Sequence, residues 1–241
     1  MSGVVSDDRK NKNISFPELL DRLCQIDGLE RISFTTSHPQ DATDALYRVI
    51  ARNPKISRRF HLPLQSGSDR ILKRMKRLHT YEEYKTKIDL MREVIPDVSI
   101  TTDIIAGFSG ETEEDYEATV RALREIRFDS AYIYKYSLRP ATPASKLPDD
   151  VPIEIKAKRN NALLAIQRKI SEENHQALVG QTAEVFIEEM DSRNQSQMRG
   201  RTHQEKKVVL KGEKALLGKF KKVTLGALGR ETFFGTIIPD A

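Results

Sequence analysis

Four short groups of residues could carry chemistry, and each stands where an apolar run ends. One is Asp103-Ile-Ile-Ala-Gly107-Phe-Ser-Gly110-Glu111. Its two glycines allow a backbone to approach a ligand closely. A helix start rich in acids follows at once, with Glu111, Glu113, Glu114 and Asp115. These carboxylates already complement the positive end of a helix dipole. That disfavours a bound phosphate and suits a neutral or zwitterionic ligand against the backbone. A tight strand-to-helix turn without a ligand accounts for the same glycines.

A second group is His61 to Asp69, HLPLQSGSD. Gln65, Ser66 and Ser68 surround Gly67 with amide and hydroxyl groups suited to sugar or amide contacts. Alternatively, Ser66 or Ser68 simply caps the next helix. On that helix Arg70, Lys73, Arg74 and Arg77 fall at i, i+3, i+4 and i+7, one basic face, with Ile71, Leu72 and Met75 turned inward. Such a stripe suits a phosphate backbone. A third group, Thr35-Thr36-Ser37-His38-Pro39, offers polar contacts to a substrate or only a satisfied loop histidine. The fourth, Tyr134 to Arg139 (YKYSLR), sets aromatic, hydroxyl and guanidinium groups at a strand end, where a planar base could stack, or where the tyrosines belong to the core. The five histidines show no paired ligand spacing, so no metal site is expected. No phosphate-binding glycine loop with its lysine is present. The one cysteine, Cys24, sits in a helical pattern and reads as buried and inert.

The elements that must position these groups alternate. Strand patterns at Arg31–Phe34, Phe60–Leu64, Ser99–Ala106 and Ser130–Tyr136 are separated by helical patterns. One of these, DATDALYRVIAR, opens on a possible cap at Asp41; Thr80 with Glu83 and Thr112 with Asp115 begin two others. Strands alternating with helices mean βα units and a parallel sheet. Four units do not close an eight-stranded barrel of about 250 residues. After a proline-rich loop and a long helix from about Ile153 to Leu178, five short strand patterns with glycines between them read as a small all-β barrel. The expected domains are therefore 1–178 and 179–241.

At 241 residues, 38% apolar and 31% charged, with no apolar run long enough to cross a bilayer, the chain reads as soluble. Its N-terminus lacks an apolar signal region, which favours the cytoplasm. The net charge is +5, and the segment from Arg52 to Arg77 carries nine Lys or Arg against one acid, Asp69. That concentration fits a polyanion, nucleic acid first, or a solvated helix face.

In this order, TTSHP, HLPLQSGSD, DIIAGFSGETEEDY and YKYSLRPATPAS resemble the radical S-adenosylmethionine methylthiotransferases. TTSHP with HLPLQSGSDRILKRMKR is similar to the MiaB type, which makes 2-methylthio-isopentenyladenosine in tRNA. The segment from Val179 resembles a TRAM domain, an RNA-binding barrel. The resemblance implies S-adenosylmethionine and two [4Fe–4S] clusters in the whole family, and a partial (β/α)₆ barrel. It implies cofactor contacts at Gln65, Ser66, Ile104, Ile105, Gly107, Tyr134, Tyr136 and Ser137. Contacts to tRNA, at an isopentenyladenosine of the anticodon loop, are expected at Thr36, Ser37, His38, Arg70, Lys73, Arg74, Arg77, Arg139, Arg199 and Arg201.

The chain departs from the family pattern in lacking both cysteine triads that hold the clusters. Ser109 stands where the family usually has Pro, and Leu78 where it often has Gly. The expectation is a C-terminal portion holding about four of six βα units plus the TRAM barrel. Alone it is expected to be inactive, to lack cluster ligands and catalytic residues, and to partner the missing N-terminal part of the protein. An exposed sheet edge is expected at Arg31–Phe34. Two other readings stay open: a stand-alone RNA-binding module, or a methylthiotransferase acting on threonylcarbamoyl-adenosine tRNA or a ribosomal protein.

Overall fold

Pro63 has no N–H, and the strand before it stops short for that reason. In the computed structural model, which describes residues 14–35, 39–140, 142–192, 194 and 196–239, β1 is Arg59–His61. It pairs in parallel with β2 (Ser99–Ala106), which pairs in parallel with β3 (Ser130–Lys135), in the order β1-β2-β3. Beyond Pro63 the chain stays extended. Gln65 N–H donates to Asp103 O at 2.8 Å, and Ile105 N–H donates to Gln65 O at 2.9 Å.

Alternation along the strands divides the sheet into two faces. Phe60, Leu62, Ile100, Ile104 and Ile133 point to the helices and are buried with Tyr84, Ile88, Met91, Val120, Leu123 and Leu163. The opposite face is polar. His61 Nδ1 lies 3.0 Å from Thr101 Oγ1, His61 Nε2 lies 3.3 Å from Asp103 Oδ2, and Arg59 donates to the Tyr132 hydroxyl at 3.4 Å.

The helices are α1 (Phe16–Cys24), α2 (Asp44–Arg52), α3 (Asp69–Arg74), α4 (Tyr81–Val94), α5 (Glu113–Ile126) and α6 (Ile153–Gln176). Both capping boxes form, Thr80 with Glu83 and Thr112 with Asp115. Thr43, not Asp41, caps α2; Asp41 ends a 3-10 turn from Pro39. Cys24 is buried, and burial raises its thiol pKa.

Two further expectations are corrected. Arg31–Phe34 is not a strand: Ile32 makes one parallel bridge to Ile56. Its partner Ile56 directly follows the turn after α2, closed by its own N–H to Asn53 O at 3.1 Å, and the pairing goes no further than Ile32 N–H to Lys55 O and Ser57 N–H to Ile32 O. Phe34 packs edge-on against Phe16 and Phe60, so the segment is folded onto the core, and the edge strands of the sheet are β1 and β3. Nor does one helix carry Arg70 to Arg77. α3 ends at Arg74, where Arg77 N–H donates to Leu72 O at 2.9 Å and Lys76 N–H to Lys73 O at 3.0 Å. This Schellman closure puts Lys76 in the left-handed region at φ 58°.

The five remaining strands close into a barrel, β4 (Thr182–Met190), β5 (Gln197–Thr202), β6 (Lys207–Lys211), β7 (Phe220–Gly229) and β8 (Thr232–Ile237), in the order β4-β5-β6-β8-β7. Val185, Ile187, Met198, Val208, Leu210, Val223, Leu225 and Phe233 alternate inward as its core. Closure removes the free edges that five short strands would otherwise expose. The β5–β6 turn seats the barrel against the N-terminal ends of the sheet strands. Arg58 N–H donates to His203 O at 2.7 Å, Gln204 Nε2 donates to Asp97 at 2.6 Å, and Lys206 pairs with Asp129. Among the described residues no helix is long and apolar enough to cross a membrane.

Candidate functional site

A cavity of about 560 Å³ opens at the C-terminal ends of β2 and β3. Gln65, Asp103 and Ile105 form one wall, and Tyr134, Tyr136 and Ser137 the next. Arg74, Arg77 and Arg139 bring three cations to the same rim. Two groups far apart in sequence thus meet because β2 and β3 are parallel neighbours, with Ile105 paired to Tyr134. The residue facing this space with the strongest backbone constraint is Gln65. Its φ of 74° lies in the left-handed region, strained for a residue with a side chain. Tyr136 is fixed by an edge-on contact with Phe108 at 4.7 Å and by Lys156 Nζ at 5.2 Å from its ring; burial raises its phenol pKa. Arg77 is half-buried, and that burial lowers its guanidinium pKa, opposed by Asp103.

The other expected residues lie elsewhere. Ser66 is fully buried, and its hydroxyl accepts the Ser68 N–H at 3.2 Å. Ser68 caps α3 and donates to Asp115 at 2.6 Å, so both hydroxyls are engaged within the turn. Ile104 is core. Gly107 (φ 75°) does not line the cavity; a Cβ there would come within 2.3 Å of Lys156 Cγ on α6. Arg70 is bonded to Asp115 and, at 2.6 Å, to Gly110 O. Arg74 donates to Ser109 O at 3.0 Å. Only Lys73 and Arg77 of that basic set have no such tie among the described residues. Arg199 pairs with Asp191 and Arg201 with Glu188 on the barrel. Thr36, Ser37 and His38 lie outside the described residues.

The glycine turn is therefore clamped from two sides. On the α6 side Glu111 accepts the Gly107 N–H at 2.7 Å and Arg159 at 2.8 Å, and Arg159 also reaches Glu113 at 2.9 Å. Burial raises the Glu111 pKa, offset in part by those two hydrogen bonds. On the α3 side Asp115 holds Arg70, Ser68 and Thr112. Its burial acts upward, but these hydrogen bonds prevail and keep its pKa well below the usual carboxylate range.

Asp103 was missed among the expected contacts. Counting by twos from Ile105 reaches it, and the cavity wall confirms that alternation. Arg159 and Lys156 left no legible signal, being polar residues before the apolar positions of a long helix.

The cavity walls suit a nucleoside: an amide and a carboxylate, Gln65 and Asp103, for hydroxyls, and an isoleucine and tyrosines for a planar base. S-adenosylmethionine fits this chemistry. A [4Fe–4S] cluster does not fit the residues present, since thiolates hold such clusters and the chain has a single cysteine, buried at the end of α1.

Residues 4–123 match the radical SAM superfamily and residues 176–238 match the TRAM domain. The first match takes in α1 to β2 and most of α5, just under half of the chain, and the second takes in the barrel strands β4 to β8. The chain's relatives are more particular. It is 45% identical over 210 residues to the tRNA-2-methylthio-N(6)-dimethylallyladenosine synthase of Pelotomaculum thermopropionicum, covering 87% of this chain and 47% of that protein. It is 44% identical over 234 residues to the synthase of the same name from Parabacteroides distasonis, covering 97% and 51%. Among solved structures, the radical SAM enzyme coproporphyrinogen III oxidase (HemN) from Escherichia coli matches with a TM-score of 0.49 at 19% identity, over 58% of this chain and 32% of that one. The chain spans about half the length of the curated relatives it matches.

Proposed function

We propose that this chain forms one wall of the S-adenosylmethionine pocket, together with the RNA-binding barrel, of a tRNA methylthiotransferase acting at C2 of isopentenyladenosine. The observation that carries the reading is the meeting of Gln65, Asp103, Ile105, Tyr134 and Tyr136 around one cavity, in a chain whose relatives bear that enzyme's name. In the whole enzyme, two [4Fe–4S] clusters held by a further part of the protein would supply the electron and sulfur chemistry. The residues of this chain bind and orient. Gln65 and Asp103 take ribose hydroxyls, Ile105 and the tyrosines pack the adenine, and Ser137 offers a polar contact at the mouth. Ile104 and Gly107 act from behind, shaping the wall through the core and through Lys156.

Lys73, Arg77 and Arg139 are placed for tRNA phosphate. The division at 178, the cytoplasm as the working compartment and the isolated chain's lack of catalysis belong to the same proposal. Mass spectrometry of tRNA from cells lacking the complete gene tests it: 2-methylthio-isopentenyladenosine should disappear, and an unchanged level would overturn the assignment. For the isolated chain, anaerobic reconstitution should leave iron and sulfide far below stoichiometry.

A second reading, RNA binding by the chain alone, is favoured by Lys207 and Lys211 of the barrel, which form no ion pair among the described residues. Binding of tRNA should weaken steeply with salt, and no binding at low salt would exclude it.

A further inference from the structure

The cations of the TRAM barrel are divided between two faces. On β4 and β5 they are neutralised: Arg199 by Asp191 and Glu189, Arg201 by Glu188 and Glu205. On the face made by β6 and β8 they are not. Lys207 and Lys211 are exposed, and neither forms an ion pair among the described residues. Glu231, in the turn before β8, makes no pair with Lys207. From Lys206 to Lys222 the sequence has seven lysines and one acid, Glu213.

Between the two lysines stands an aromatic ring. β6 runs parallel to β8 with Val209 opposite Phe234, which puts Lys207 and Lys211 two residues to either side on the same outward face. Phe234 is 50% exposed, while its neighbour Phe233 is fully buried in the barrel core. The β7 flank is kept bare beside it. The β7–β8 register slips between Leu225 and Leu228; a Cβ at Gly226 would meet Phe234 O at 2.6 Å, and one at Gly229 would lie 3.2 Å from Phe234 Cε2. A lone exposed phenylalanine needs no explanation. One set on a glycine shelf between two unneutralised lysines has the composition of a base-stacking platform, in which the ring takes a base and the ammonium groups take the flanking phosphates.

We propose that the β6–β8 face, centred on Phe234 with Lys207 and Lys211, binds an unpaired stretch of RNA by stacking one base on the ring. This rests on the RNA-binding reading above and deepens it. It also moves the expected contact from Arg199 and Arg201 to the neighbouring face.

The test uses the whole chain, a fluorescein-labelled unstructured RNA 12-mer, a duplex of the same length, and bulk tRNA. Phe234→Ala and Phe234→Leu, the second keeping an apolar cover over Gly229, should each weaken single-strand binding by about tenfold and leave the salt slope unchanged. Phe234→Trp should restore affinity. The Lys207→Gln/Lys211→Gln double variant should reduce the salt slope by about 1.4. If the wild type binds RNA but the Phe234→Leu variant binds equally, or if duplex competes as well as single strand, the platform is wrong and the RNA-binding reading survives. If the wild type binds none of the three probes, both fall.

Discussion

Gly107 is a glycine for two separate reasons, its φ of 75° and the Lys156 stem that fills the place of a Cβ. Gly107→Ala must pay for both the strained backbone and the displacement of a buried lysine from its contact with Tyr136. A loss of about 2 kcal/mol is expected, read as a lower urea midpoint with unchanged slope. Asp115 gives a pH signature. Its folded pKa is depressed, so its contribution is fully present above the unfolded value of about 3.9. That contribution is lost as pH falls through the region below. Chemical denaturation at pH 6 and pH 3 should show a larger acid loss for the wild type than for Asp115→Asn. The same contrast at pH 6 alone should show the variant less stable. These roles were only half legible: the capping box could be counted from Thr112 and Asp115, whereas Arg70 as its guanidinium partner could not, because α3 and α5 are joined by nothing local in sequence.

At the scale of elements, α6 holds the site in place. Beside Leu163 and Ile170 it buries Lys156 and Arg159 against the glycine turn, and Asn160 and Gln167 along β3 and the loop before it. Asn160 donates to Ile133 O at 3.1 Å and Gln167 to Phe128 O at 2.8 Å. Arg159→Ala would leave Glu111 buried without its cation, and breaking a buried pair from one side costs about 3 to 5 kcal/mol. The expected result is a melting temperature lowered by several degrees and faster amide exchange at Gly107. The conservative Arg159→Lys should recover part of the first and little of the second, since a single ammonium cannot serve Glu111 and Glu113 together. The limits of α6 were readable from its apolar spacing. Its buried polar side was not, because Lys, Arg, Asn and Gln in a helix are ordinarily solvated.

At the scale of the whole molecule, the barrel and the sheet are joined by charge. Arg31 donates to Glu205 at 2.7 Å and to Thr202 O at 3.0 Å, and Ser33 donates to Glu205 at 2.7 Å. Burial acts to raise the Glu205 pKa, but Ser33 and Arg31 prevail and lower it. Glu205→Ala removes the nearer of two carboxylates beside Arg31, whose side chain is only 12% exposed and keeps Glu188 at 3.5 Å, at a cost of about 1 kcal/mol. Differential scanning calorimetry should then resolve two transitions where the wild type gives one. A single unchanged transition would mean that Lys206–Asp129 and Gln204–Asp97 hold the joint without it.

Apart from Arg31–Phe34, the order of helices and strands, with the change to an all-β barrel after α6 and the capping boxes, followed from the sequence alone, because these rest on local periodicity and short-range hydrogen bonding. So did the strand-end positions of Gln65, Ile105 and Tyr134. The tertiary structure decided which residues share a space. It brought Asp103 to the cavity wall and sent Ser66 and Ile104 behind it. It ended α3 before Arg77 and neutralised Arg199 and Arg201 while leaving Lys207 and Lys211 without an ion pair among the described residues. It reduced Arg31–Phe34 from a strand to one bridge, because a strand exists only where a partner continues the ladder. Each of these outcomes depends on contacts between residues distant in the chain, which spacing along one segment does not encode.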